Sequence, residues 1–224
     1  MISLSGLLPL KSTFIVLRLV FNRIRAAGLK LKPTKCRFLR KEVAFLGHVV
    51  SADGIKTDPG KVEAVKTWPV PLNAKELQSF LSLASHYIKF ILGFSVIAEP
   101  LYQLCKKNVS FSWQQEHQAA FEELKDRLVS APVLACPNFS AEAGSFILDT
   151  DGSQHQGIGG VLSQQQQDGT ERVIAHGSRS LNEHEKNYYT TRLEMLALVT
   201  YVDYFRYYLL GRMFYIRTDH SSLR

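Results

Sequence analysis

Apolar residues recur at helical spacing from Phe14 to Ala27, with Val16, Leu17, Val20, Phe21 and Ile24 on one stripe and Gly28 where a C-terminal cap belongs. Lys41 to Val50 reads as a strand through Val43, Phe45, Val49 and Val50, and Ser51-Ala52-Asp53-Gly54-Ile55 supplies the turn chemistry of a hairpin. Asp58 before Pro59 predicts the capped start of a short helix running to Thr67, which Pro69 and Pro71 end. Asn73 caps a longer helix over Ala74 to Phe90, with Leu77, Phe80, Leu81 and Ala84 along its buried stripe. Two further helices are expected near Val96 to Leu104 and Gln114 to Val129, so residues 58–130 are mainly helical.

Beyond Pro132 and Pro137 the period changes. Ser145 to Thr150, Gly157 to Leu162 and Arg172 to Gly177 are short β-rich runs separated by polar, Gly-containing turns, which predicts an antiparallel meander. A long helix over Glu183 to Leu210, closed by Gly211, leads to a fourth strand from Met213 to Thr218 that would lie beside the first. The chain is thus expected to be α+β: a helix and β-hairpin, a helical middle, and a βββαβ end.

Charge adds a direction to this plan. Residues 1–110 carry 17 Lys and Arg against 6 Asp and Glu, while residues 111–224 carry 10 against 14, and the whole chain is net +7. A basic half suits phosphates and an acidic half suits cations, although two ordinary solvated surfaces would show the same counts. Cys36, Cys105 and Cys136 stand far apart and outside any Cys/His cluster, which argues against a zinc site or a disulfide framework and for an intracellular setting, cytoplasm or nucleus. No run approaches the ~18 apolar residues of a membrane helix, and Met1 to Leu10 lacks the shape of a signal peptide.

Acidic residues at strand ends are the candidate chemistry. Phe146-Ile147-Leu148 runs into Asp149-Thr150-Asp151, and the two-residue period puts Asp149 and Asp151 on one face with Thr150 on the other. If the first and fourth strands are neighbours, Asp151 and Asp219 would approach within bonding reach of a shared cation. Glu194 sits in the long helix among Leu193, Leu196, Ala197 and Leu198, where an acid is costly unless paired or bound to metal. Carboxylate oxygens favour Mg²⁺ or Mn²⁺, and such a cluster can hold two ions about 3.5–4 Å apart for in-line phosphodiester hydrolysis. By residue type alone, a strand-end Asp is as readily a turn residue and a helical Glu a solvated one, so both readings stand at this point. His220 with Ser221 and Ser222 shows no base and orienter arrangement of a nucleophilic site.

These pieces resemble a known family. Thr150-Asp151-Gly152-Ser153, Gly157 through Gln164, Ser178-Arg179, Glu185-Lys186-Asn187-Tyr188, Glu194 through Val199 and Thr218-Asp219-His220 closely resemble the ribonuclease H domain of gypsy-type long-terminal-repeat retrotransposon Pol polyproteins. Upstream, Gly28 through Cys36, Phe45 through Ser51, Trp68-Pro69, Phe80 through Phe94, Phe111-Ser112-Trp113 and Ala131 through Leu134 are similar to the reverse transcriptase of the same polyproteins. The resemblance implies a palm remnant with a primer-grip-like hairpin over residues 1–57, a helical thumb and connection over 58–130, and a ribonuclease H-like domain over 131–224. It implies that Asp151, Glu194 and Asp219 are catalytic metal ligands for Mg²⁺ or Mn²⁺, and that the partners are an RNA/DNA hybrid and the rest of the polyprotein. Lys30, Lys32, Lys35, Arg37, Arg40 and Lys41 would then contact phosphates. The parent activity that the resemblance implies is RNA-directed DNA synthesis with hydrolysis of RNA in hybrids.

The chain departs from the family at several places. The Tyr-x-Asp-Asp turn expected before the first helix is missing, residues 1–15 do not match, and Met1 to Ser5 would be encoded by shifting the frame of codons for Asp-Asp-Ile-Ile-Val. The sequence stops at Arg224, ahead of the family's fourth carboxylate and later helices. On this reading the chain is a fragment whose βββαβ domain is truncated, and a catalytically inactive nucleic-acid-binding remnant is the alternative to a working nuclease. Gly152, where Ala is usual, and Ile88, where a basic residue is usual, are expected to touch no ligand.

Overall fold

The computed structural model describes residues 10–218, except 39, 141, 155 and 156. Helix α1 (Leu10–Ala26) begins ahead of the predicted Phe14 and closes at Gly28, whose positive φ of 69° lets the Gly28 and Leu29 N–H groups donate to the carbonyls of Arg25 and Ile24. A short 3₁₀ turn at Pro33–Lys35 precedes strands β1 (Glu42–Phe45), β2 (His48–Ser51) and β3 (Gly54–Thr57), which pair antiparallel in that order. The predicted strand over Lys41 to Val50 is therefore two strands. Leu46 and Gly47 take φ of 47° and 77°, the backbone of a two-residue type I′ turn, and the hairpin becomes a three-stranded meander.

The middle follows its caps. Asp58 accepts the Gly60 N–H at 2.9 Å to open α2 (Pro59–Lys66), and Asn73 accepts the Glu76 N–H at 3.0 Å to open α3 (Ala74–His86). Helix α3 stops at Tyr87, and a 3₁₀ turn at Ile88–Phe90 completes the run expected to be helical to Phe90. Helices α4 (Phe94–Leu104) and α5 (Gln115–Val129) cross it, and Leu77, Phe80, Leu101, Phe121 and Leu124 form a core from which water is excluded.

The second core lies under a four-stranded sheet. Strands β4 (Phe146–Ser153), β5 (Gly157–Gln165), β6 (Glu171–Arg179) and β7 (Phe214–Arg217) stand in the order β6-β5-β4-β7, antiparallel except for β7, which runs parallel to β4 and beside it, where the sequence places the fourth strand. Helix α6 (Thr190–Tyr204) covers one face and packs Leu193, Ala197 and Tyr201 onto Phe146, Leu148, Ile158 and Leu162. The expected long helix from Glu183 to Leu210 is broken at both ends. Arg179 grips Glu185 through two contacts of 3.0 Å and Asn182 accepts the N–H groups of His184 and Glu185, so the chain forms a 3₁₀ turn at Glu185–Asn187 and stays extended at Tyr188 and Tyr189. After Phe205 only a single turn, α7 (Arg206–Leu209), continues before Gly211 turns the chain with φ of 73°.

An extended pair is one of several links between the two cores. Leu134 exchanges hydrogen bonds with Ile55 of β3 at 2.7 and 2.8 Å, and the next residue, Ala135, donates to Val173 of β6 at 2.7 Å. Ser180 donates to Glu99 at 2.8 Å from the same edge. Among the described residues no helix is long and apolar enough to cross a membrane.

Two expectations follow from this packing. A Cβ on Gly160 would stand 2.4 Å from the Tyr201 ring, whereas on Gly159 it would meet nothing closer than 4.0 Å. Gly160→Ala is expected to cost about 1–3 kcal/mol of overpacking and Gly159→Ala much less, read as the difference in thermal midpoint. His48 stacks on His86 at 5.0 Å, and burial together with nearby Lys89 and His86 lowers its pKa from 6.5 to about 4. The unfolded chain thus binds the proton more readily, so the contribution of neutral His48 is complete above pH 6.5 and is lost as pH falls toward 4. The melting temperature should drop across that window, and less steeply in His48→Phe; an unchanged slope would refute the assignment.

Candidate active site

Helix α6 rests directly on strand β4 and brings Glu194 against the peptide that follows Asp151. A Cβ on Gly152 would lie 2.7 Å from the Leu193 carbonyl and 3.0 Å from the Glu194 nitrogen, so only glycine leaves room for the helix backbone there. The Gly152 N–H donates to Glu194 Oε1 at 3.3 Å, which ties the glutamate to the peptide that follows Asp151. Gly152 therefore touches an expected ligand, contrary to the sequence expectation, and Ala in its place would push the helix away.

The two carboxylates sit in different surroundings. Glu194 is 4% exposed in the stripe of Leu193, Ala197 and Tyr201, whereas Asp151 is on the solvent side of β4. No basic side chain among the described residues pairs with Asp151. Asp219 lies outside the described residues, as do His220, Ser221 and Ser222. Among the described residues no three His, Cys, Asp or Glu side chains converge, so these supply two oxygen donors of the expected set. Carboxylate oxygens of this kind, were they to bind a metal, would suit Mg²⁺ or Mn²⁺ better than zinc.

Asp149 shares the face of Asp151, as alternation predicts, but its charge is already matched. Arg217 of β7 holds it through Nε at 2.6 Å and Nη2 at 2.7 Å, and the same guanidinium reaches Glu171 at 2.8 and 3.0 Å. Both carboxylates push the Arg217 pKa further up. Arg217 carries no signal in the sequence because its partners lie far away along the chain. Gln154 was also missed: its side chain donates to the Tyr188 carbonyl at 2.8 Å and fastens the end of β4 to the start of α6.

The basic candidates are separate from this centre. Lys30, Lys32, Arg37, Arg40 and Lys41 are exposed between α1 and β1, without an acidic partner among the described residues, and Lys35 falls in the 3₁₀ turn. Cys36, Cys105 and Cys136 are free thiols with no bridge between them.

Comparison with known proteins gives this arrangement a lineage. Residues 113–216 match the RNase H-like domain found in reverse transcriptase. The chain is 43% identical over 209 residues to the Retrovirus-related Pol polyprotein from transposon 297 of Drosophila melanogaster, covering 93% of this chain and 19% of that protein. It is 38% identical over 204 residues to the corresponding polyprotein from transposon 412, covering 91% and 16%, and 33% identical over 206 residues to the Transposon Tf2-3 polyprotein of Schizosaccharomyces pombe, covering 91% and 15%. The chain thus spans less than a fifth of these relatives. A foamy viral protease-reverse transcriptase in complex with RNA/DNA hybrid shares the fold, with a TM-score of 0.78 at 22% identity over 97% of this chain and 30% of that one. A foamy viral protease-reverse transcriptase in complex with double-stranded DNA gives 0.72 at 23% identity over 92% and 42%. The chain is a relative of gypsy-type retrotransposon Pol polyproteins, and its residues 113–216 belong to the RNase H-like domains found in reverse transcriptases.

Proposed function

We propose that Asp151, Glu194 and Asp219 hold Mg²⁺ or Mn²⁺ and that the chain hydrolyses the RNA strand of an RNA/DNA hybrid, as part of a Pol polyprotein whose RNA-directed DNA polymerase would make that hybrid. The observation that carries this reading is the buried Glu194 carboxylate fixed to the peptide N–H beside solvent-facing Asp151, within a segment matched to reverse transcriptase RNase H-like domains. Bound metal would neutralise charge on the phosphate and favour in-line attack of water at phosphorus.

The residues themselves divide the work. Glu194 has little freedom to reorganise, because its helix is seated on glycine and its Oε1 is already held. Asp151 stands open on the side from which a phosphodiester can approach. Arg217 occupies Asp149, so this third carboxylate does not compete for cations. The exposed basic residues between α1 and β1 would take phosphates of the same duplex, and the 2′-hydroxyls of RNA would distinguish a hybrid from DNA.

Two outcomes test this. Purified chain should cleave a labelled RNA/DNA hybrid in Mg²⁺ or Mn²⁺, and Asp151→Asn or Glu194→Gln should reduce cleavage by roughly 100-fold or more while the circular dichroism stays native. Folded chain that binds hybrid without cutting it would instead support the inactive nucleic-acid-binding alternative. Replacing Lys30, Lys32, Arg37, Arg40 and Lys41 by Gln should make the salt dependence of duplex binding shallower, by about 0.9 in the log–log slope for each phosphate no longer neutralised; an unaltered slope would remove these residues from the interface.

A further inference from the structure

Among the described residues strand β7 is an edge of the sheet, and it is four residues long. Tyr215 and Ile216 are exposed, while Phe214 packs against the core under the sheet. Beyond that contact and backbone pairing to β4, the strand is held by the grip of one side chain. That side chain is Arg217, directly opposite Asp149 in the register and chelating it through two nitrogens while also reaching Glu171. The register keeps Phe146 opposite Phe214 and Asp149 opposite Arg217.

We infer that the Asp149–Arg217–Glu171 cluster is a register clamp for the metal centre: it locks the strand that leads to Asp219 against the strand that carries Asp151, and it withdraws Asp149 from metal binding. This rests on the metal-site reading of Asp151 and Asp219. Global stability is not reason enough for the cluster, because the Arg217, Asp149 and Glu171 side chains are 53%, 36% and 33% exposed and solvent screens their attraction, even though a two-pronged, networked contact is stronger than an isolated surface pair. Geometry is the better one. A two-pronged guanidinium–carboxylate contact fixes both distance and orientation, so a one-residue slip of β7, which would turn alternate side chains to the opposite face, loses both prongs at once. These are positioning residues, acting on the metal through the strands and not by touching it.

Charge and geometry predict opposite results, which makes the inference testable. Mn²⁺ binding to the full chain can be read by electron paramagnetic resonance for the parent sequence, Arg217→Gln, Asp149→Asn and the double exchange Asp149→Arg with Arg217→Asp. If Arg217 merely lowered the local negative potential, Arg217→Gln would tighten Mn²⁺ binding and Asp149→Asn would weaken it. The clamp predicts that both single variants weaken binding, by about 10-fold, and that the charge-conserving exchange returns it to within about twofold. Amide hydrogen exchange in β7 of the metal-free proteins should speed up in both single variants and recover in the exchange, with thermal midpoints little changed. Opposite signs in the single variants, or equal Mn²⁺ binding in all four proteins, would overturn the clamp and leave the metal site standing. A parent chain that binds no Mn²⁺ would sink the metal site and the clamp together.

Discussion

Helix α6 lies where it does because glycines under it leave the sheet without side chains. Gly152 of β4 admits the backbone at Leu193 and Glu194, and Gly160 and Gly177, paired across β5 and β6, admit the Tyr201 ring. Tyr201 then donates its hydroxyl to the Ile158 carbonyl at 2.8 Å, so a large buried side chain has no unsatisfied polar end. Both ends of the helix are thereby set on the sheet, one by an aromatic ring and one by a carboxylate. The position of Glu194 against the peptide after Asp151 is a by-product of close packing, which also supplies one hydrogen bond to its carboxyl group.

Electrostatics divides the acids of this module into two kinds. Asp149, Glu171 and Glu185 face guanidinium groups of Arg217 or Arg179 and serve the architecture. Asp151 and Glu194 sit instead at the seam between strand and helix. Negative charge is thus set at one seam of a chain whose first half is strongly basic.

How much of this was legible depended on the distance over which each cause acts. The βββαβ order, the caps at Asp58 and Asn73 and the turn at Gly211 are written in neighbouring residues, and an acid among Leu193, Leu196 and Ala197 announced itself. The break before α6 was not visible, because residues 183–189 suit a helix locally and Arg179 imposes the alternative from the preceding strand. The split at Leu46 was hidden for another reason: leucine at positive φ is not a turn signal, and it is held there by α3 and its cap, where Tyr87 donates to the Gly47 carbonyl at 2.7 Å and His86 bonds that of Leu46 at 2.9 Å. Spacing alone left Asp149 and Asp151 both open and the family resemblance pointed to Asp151; the Arg217 that occupies Asp149 is tied to it by no local pattern.

The extended pair Leu134-Ala135 has a consequence for how the molecule comes apart. One residue completes the edge of the three-stranded sheet and the next bonds β6, while Val173 of that strand also lies against the helical core. The pair works beside the Ser95–Ser178, Ser180–Glu99 and Arg172–Asp53 hydrogen bonds, so opening either part strips contacts from the other and the two are expected to unfold together.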